Sequence, residues 1–313
     1  MKKEINICMI TDNNYVIPTA VAMTSAIQNK APHNIYHFYL LINEVAPDNL
    51  SRLEQLHRQD VKIDFIKVDA SKYKKINVKT HVPQSAALKF DIPNIIKADK
   101  CLYIDGDIIV CKDLEQLYSI DLGNHMVGAV RDMGGELGQK FNIAVGCTKY
   151  FNSGVLLLNL DKMRDANCTE QLIKAKMEHP QWKCMDQDAF NFVLSFTTKW
   201  LDVKYNSMMA LYHSYGYNIK RINKFYKTKY KSESDLEKDS VIIHLAGEAG
   251  QRPWKVSNGA FGQLWDKYYE LSPYKDTVLQ RGIYHPKVKI YSTDTKTSYK
   301  LFGILPILCI EEK

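Results

Sequence analysis

Three short apolar runs near the start of the chain, INICMIT at 5–11, IYHFYLLI at 35–42 and KIDFIKVD at 62–69, are separated by stretches with helical character. The first spacer, DNNYVIPTAVAMTSAIQNK, opens on cap-forming Asp and Asn, carries an early Pro18 and then repeats apolar residues at helical spacing. The second, PDNLSRLEQLHRQ, sets Leu50, Leu53 and Leu56 on one side of a helix. Strands that alternate with helices need crossover connections, so the pattern predicts an α/β fold with a mostly parallel, Rossmann-like sheet flanked by helices. Later strand-like runs are KCLYIDGDIIV, MVGAVRD, FNSGVLLLNL and SVIIHLAG, with helical signals in CTEQLIKAKMEHP and MDQDAFNFVLSF.

With 313 residues, 45% of them apolar, the chain can bury a large core. No internal repeat or low-complexity linker divides it. Its organisation is expected to be one body over 1–270 and a polar extension over 271–313. Net charge of +7 favours anionic partners without choosing among nucleotide, membrane and nucleic acid. The basic start MKKEINICMITDNN has too short an apolar run for a signal peptide, and seven cysteines without CxxC spacing read as reduced thiols. A cytoplasmic protein, with any membrane contact peripheral, is the expectation.

In CLYIDGDIIV, Asp105 and Asp107 flank Gly106 at the end of an apolar run. Residues two apart in extended chain face the same way, so both carboxylates can converge on a point beyond the strand. Their mutual repulsion is relieved by a divalent cation, and oxygen ligands suit Mg²⁺ or Mn²⁺ held together with substrate phosphates. Gly106 would leave backbone room for the ligand. A plain Asp-Gly turn is the competing reading, and the continuation IIV, which resumes the apolar run, argues against it.

YIDGDIIV, FNSGVLLLNL, MDQDAFN and IIHLAGEAGQRPW, in this order, resemble glycosyltransferase family 8, retaining enzymes of the GT-A fold related to bacterial lipopolysaccharide galactosyl- and glucosyltransferases and to glycogenin. The likeness runs from residue 5 to about 270. It implies that Asp105, Asp107 and His244 hold Mn²⁺, with Mg²⁺ as the alternative. Thr11, Asp12, Asn14 and Tyr15 would meet uracil and ribose of a UDP-hexose, with Tyr15 able to stack on the base. Donor contacts are further implied for Gly106, Asp132, Asn152, Ser153, Gly247 and Arg252. Asp186 would hold a sugar hydroxyl and Gln187 would lie beside the anomeric carbon, while Asp188 reads as a helix cap. The implied acceptor is a glycan, lipid-linked or protein-linked, in bacterial lipopolysaccharide, capsule or glycoprotein assembly.

Two departures stand out. Ala87, in SAALKF, occupies the place of an arginine that reaches the donor in relatives, so Lys89 or another base must compensate or donor choice must differ. Arg252 replaces a lysine, after a loop two residues longer. The alternatives are a metal-dependent nucleotidyltransferase and a catalytically silent sugar-nucleotide-binding protein. The segment NIKRINKFYKTKYK, with six basic residues and no acid, reads as a solvated, mobile loop rather than a nucleic-acid site. Apolar 299–310, behind Lys287, Lys289, Lys296 and Lys300, reads either as a terminal element covering the core or as a dock for an anionic membrane.

Overall fold

The computed structural model describes residues 3–68, 84–246, 251–284, 288–293, 296–301 and 305–311. The main sheet contains β1 (Lys3–Thr11), β2 (Asn34–Ile42), β3 (Val61–Lys67), β4 (Lys100–Ile104), β6 (Val127–Arg131), β7 (Phe151–Asn159) and β8 (Thr198–Trp200), in the order β3-β2-β1-β4-β7-β6-β8. Strand β7 runs antiparallel to β4 and β6, and the other neighbours are parallel. After β1 the chain winds to one side, and β4 lies on the other side of it. The crevice between their carboxyl ends is therefore a topological switch point, where open α/β sheets bind ligands.

Alternation along the strands divides the core between the two faces. Ile5, Ile7 and Met9 of β1, with Leu102, Ile104, Val155 and Leu157, pack under helix α1 (Val16–Gln28) and beside Trp265. Cys8, Cys101, Tyr103, Leu156 and Leu158 face the other way, onto the helices Cys168–Glu178 and Met185–Leu194. Each fully buried Leu or Ile contributes roughly 1.5–3 kcal/mol. Coverage of both faces is why these strands read as near-continuous apolar runs.

CLYIDGDIIV is not one strand. β4 ends at Ile104, and β5 (Ile108–Val110) belongs to a separate antiparallel pair with β9 (Ile242–His244). The apolar run resumes after the acids because it enters a second sheet. The basic segment also differs from the expected loop: Ile219–Tyr226 is a helix, capped by the Asn218 side chain accepting from Arg221 N–H, with Ile222 buried and the cations outward. Near the C-terminus, β10 (Val288–Thr293), β11 (Lys296–Leu301) and β12 (Leu305–Glu311) form an antiparallel sheet, so the described residues of the apolar stretch 299–310 are strand. Among the described residues no helix is long and apolar enough to cross a membrane, and six cysteines are free thiols.

Candidate active site

Asp105, Gly106 and Asp107 bridge β4 and β5 at the switch point. Pairing of Ile108 with His244 carries the β9 imidazole to the same place, and Leu245 N–H donates to Asp107 O at 2.8 Å. Ligand atoms of Asp105, Asp107 and His244 all lie within 4.8 Å of one another. On the main-sheet side, Ile104 pairs with Val155 and Asp105 N–H donates to Gly154 O at 2.8 Å. Because β7 is antiparallel, its first residues, FNSG, sit at the carboxyl end of β4.

Space and chemistry both fit a cation here. A Cβ on Gly154 would lie 2.3 Å from His244 Cε1 and 2.7 Å from Asp105 Oδ2, so the bare glycine keeps the gap between two of the three groups open. Gly106 also packs against α1: a Cβ there would meet Thr19 Oγ1 at 2.6 Å. Tyr103, two residues before Asp105 on the same strand face, donates its hydroxyl to Asp105 Oδ1 at 2.6 Å.

Burial pushes the Asp107 carboxyl up, but His244 at 3.2 Å and Arg252 at 3.6 Å outweigh it and hold the group well below the usual carboxylate range. Burial pulls the His244 imidazolium down, and Asp107 more than restores it, so the ring titrates above its ordinary value. Tyr15 donates to Asp107 Oδ2 at 3.3 Å and accepts from Arg252 Nη1 at 2.6 Å, with Trp254 against its ring edge. The tyrosine thus lies against the acidic site. Arg252 Nε is buried with no partner among the described residues.

A second cluster adjoins the first. The side chains of Asp132, Asn152, Ser153, Asp186 and Gln187 are all buried. Gln187 Oε1 accepts from Asn152 Nδ2 and from Ser153 N–H, each at 3.0 Å, and Gln187 Nε2 donates to Asp132 Oδ2 at 3.1 Å. Ser153 Oγ donates to Asp186 Oδ2 at 2.8 Å. Burial raises Asp132, partly opposed by Gly135 N–H at 2.8 Å. The helix that presents Gln187 is locked to β7 by Asn191, which exchanges two 2.8 Å bonds with the Phe151 backbone. Asp188, rather than simply capping the helix, is buried and accepts from the Tyr150 hydroxyl at 2.5 Å and from Cys184 N–H at 2.7 Å.

Lys89 joins the clusters: its ammonium lies 3.0 Å from Asp105 Oδ1 and 2.7 Å from Asp186 Oδ2, over the Tyr103 ring. Burial disfavours the charge, but the two carboxylates win and raise its pKa. Ala87 is buried in the core, so this lysine brings a cation to the pocket by another route. Of the remaining expected residues, Thr11 is buried and accepts from Thr19, and Asp12 Oδ1 accepts from the backbone N–H of Asn14 and Tyr15, shaping the loop. Asn14 is exposed. Gly247 lies outside the described residues. Tyr103, Gly154 and Asn206 went unread; only Tyr103 carried a signal, its two-residue spacing from Asp105.

The family model for glycosyl transferase family 8 matches residues 6–257. The chain is 27% identical over 263 residues to general stress protein A of Bacillus subtilis, covering 81% of this chain and 89% of that protein. It is 26% identical over 282 residues to glycosyltransferase GlyB of Streptococcus pneumoniae, covering 87% of this chain but 63% of GlyB. The solved galactosyltransferase LgtC, in complex with donor and acceptor sugar analogs, superposes with a TM-score of 0.70 at 21% identity, covering 89% of this chain and 100% of LgtC. At that identity the likeness speaks for the fold alone, which is GT-A.

Proposed function

Since the chain belongs to glycosyltransferase family 8, we propose that it moves a hexose from a UDP-sugar to a glycan hydroxyl with retention of configuration, forming an α-linkage with Mn²⁺. Galactose is the favoured sugar and glucose the next, with a lipid-linked or protein-linked acceptor in bacterial surface polysaccharide or glycoprotein assembly. The observation that carries the reading is the convergence of Asp105, Asp107 and His244 beside the buried Asp132–Gln187–Asp186 cluster. Two carboxylates with an imidazole suit Mn²⁺ better than Mg²⁺, which prefers all-oxygen shells. Such a cation offsets diphosphate charge and stabilises the departing UDP. The expected catalytic body ends near residue 270, but Tyr274 packs into the same core as Trp265, and Arg281 bonds Asp266 at 2.6 Å, so the body is proposed to run on through residue 282.

In this reading Arg252 turns its Nε–H, which has no partner among the described residues, toward a phosphate oxygen while Tyr15 steadies the guanidinium. Asp132 and Asp186 hold sugar hydroxyls. Gln187 lies at the anomeric carbon, and its Oε1 already accepts two hydrogen bonds. A carboxamide so engaged is a weak nucleophile, which supports electrostatic support of an oxocarbenium-like centre over a covalent glycosyl intermediate. The anomeric carbon–UDP bond breaks, the acceptor oxygen bonds from the same face, and its proton passes to a donor phosphate oxygen. The buried position of Lys89 counts against a silent binding protein, since it supplies the cation that Ala87 cannot.

The test is incubation with Mn²⁺ and a panel of UDP-sugars, following UDP release with and without glycan acceptors. UDP-galactose or UDP-glucose should be consumed; if every donor stays intact, the reading fails. Proton competition gives a second check. His244 titrates above 6.5, and its imidazolium must lose a proton to bind a metal, so Mn²⁺ affinity should rise up to about tenfold per pH unit between about pH 6 and the raised value. Calorimetry in buffers of different ionisation enthalpy would measure the released proton; pH-independent affinity would remove His244 from the ligand set.

A further inference from the structure

We propose that Asn206 is a positioning residue that fixes which nitrogen of His244 faces the cation and ties that choice to the sugar-side amides; the inference rests on the metal reading above. Asn206 is wholly buried. Its segment is strapped along β9 by Val241 N–H to Lys204 O at 2.8 Å, Ser207 N–H to Ile242 O at 2.9 Å and His244 N–H to Ser207 O at 2.9 Å. Its side chain touches His244 Nδ1 at 3.0 Å and Asn152 at 2.9 Å.

Hydrogen-bond direction follows from backbone groups, which can only donate through nitrogen. Gly154 N–H points at the Asn152 side chain at 2.9 Å, so the atom it meets is Oδ1. The Asn206 atom facing that same oxygen must then be its NH₂, which leaves Asn206 Oδ1 toward His244. Nδ1 of His244 therefore carries a proton whether the ring is neutral or charged, and Nε2, 3.2 Å from Asp107, is the nitrogen that can face a cation. On the other side, Ser153 N–H fixes Gln187 Oε1 and so directs Gln187 Nε2 to Asp132. Two consecutive backbone N–H groups thus orient three carboxamides, and Asn152 joins the halves through its Nδ2 bond to Gln187. An outer partner that holds a metal-binding histidine in one tautomer commonly changes affinity 10–100-fold when removed, about the range expected here.

Two variants separate the two bonds. Asn206→Leu removes both, and its Mn²⁺ affinity, read from free-Mn²⁺ electron paramagnetic resonance on the protein alone, should fall about 10–100-fold. Asn206→Asp still accepts from Nδ1–H but offers Asn152 no donor, so Mn²⁺ affinity should stay near wild type or tighten while kcat falls. Equal affinity in wild type and folded Asn206→Leu, or equal loss in both variants, overturns the proposal. Long-range ¹H–¹⁵N correlation on the wild-type protein, with and without Cd²⁺, needs no variant to fold: a proton on His244 Nδ1 is expected, and a bare Nδ1 overturns the assignment. Wild-type protein that binds no Mn²⁺ would instead overturn the metal reading, while the neutral ring of the metal-free protein, observed at a pH where Nε2 has lost its proton, would still decide the role of Asn206: Nδ1–H supports it and Nε2–H overturns it.

Discussion

If the proposed reaction holds, Asp107→Asn is expected to lower UDP-sugar turnover by about 10²–10³-fold, the scale on which a preorganised electrostatic contact to a developing charge is lost. The amide keeps the side chain's shape but not its charge, and that charge faces His244, Tyr15 and Arg252 at once. Stability should move with it in a pH-dependent way. Asp107 is depressed in the folded protein, so its contribution is present above the unfolded carboxylate value near 3.9 and lost as pH falls through the folded value. His244 is raised, so its share is complete below about 6.5 and lost as pH rises through the folded value. Metal-free wild type should therefore be steadiest relative to Asp107→Asn at about pH 4–6.5, by thermal melts across pH. Unchanged turnover with Mn²⁺ would remove Asp107 from the site.

The larger structural effect belongs to Lys89. Lys89→Met leaves Asp105 and Asp186 facing each other's neighbourhood without the ammonium that links them, and breaking a buried ion pair from one side costs about 3–5 kcal/mol. Saturating Mn²⁺ should return part of that loss, because a cation that binds only the folded state adds stability and takes over the charge of Asp105. Lys89→Arg retains the charge and should lose less, limited by fitting a planar guanidinium into a space shaped for an ammonium. Urea denaturation with and without Mn²⁺ reads both effects; a Met variant within about 1 kcal/mol of wild type would mean that the pair is not a structural tie.

The strands were legible because both sheet faces are covered, which leaves apolar runs such as VLLL in β7 with little polar interruption. Their direction was not: an apolar run reads the same either way, and the antiparallel course of β7, which brings FNSG to the site, comes only from pairing. CLYIDGDIIV misled for a similar reason, since β5 finds its partner in β9, far along the chain. In NIKRINKFYKTKYK the cations masked Ile219, Ile222 and Tyr226, which share a helical face. The aspartate pair was visible as chemistry, and its histidine through the family pattern. Asn206 had no local mark, because what it does depends on a neighbour brought close by folding alone.

The split between β4 and β5 has a mechanical side. Asp105 is anchored through Gly154 to the large sheet, while Asp107 and His244 ride on the small one. The spacing of the three groups is consequently a property of how the two sheets abut, and the proposed cation would act as a rivet through the joint. Substitutions far from the pocket that shift this seam would then change the spacing of the three groups, and with it the proposed cation affinity, without touching any of them.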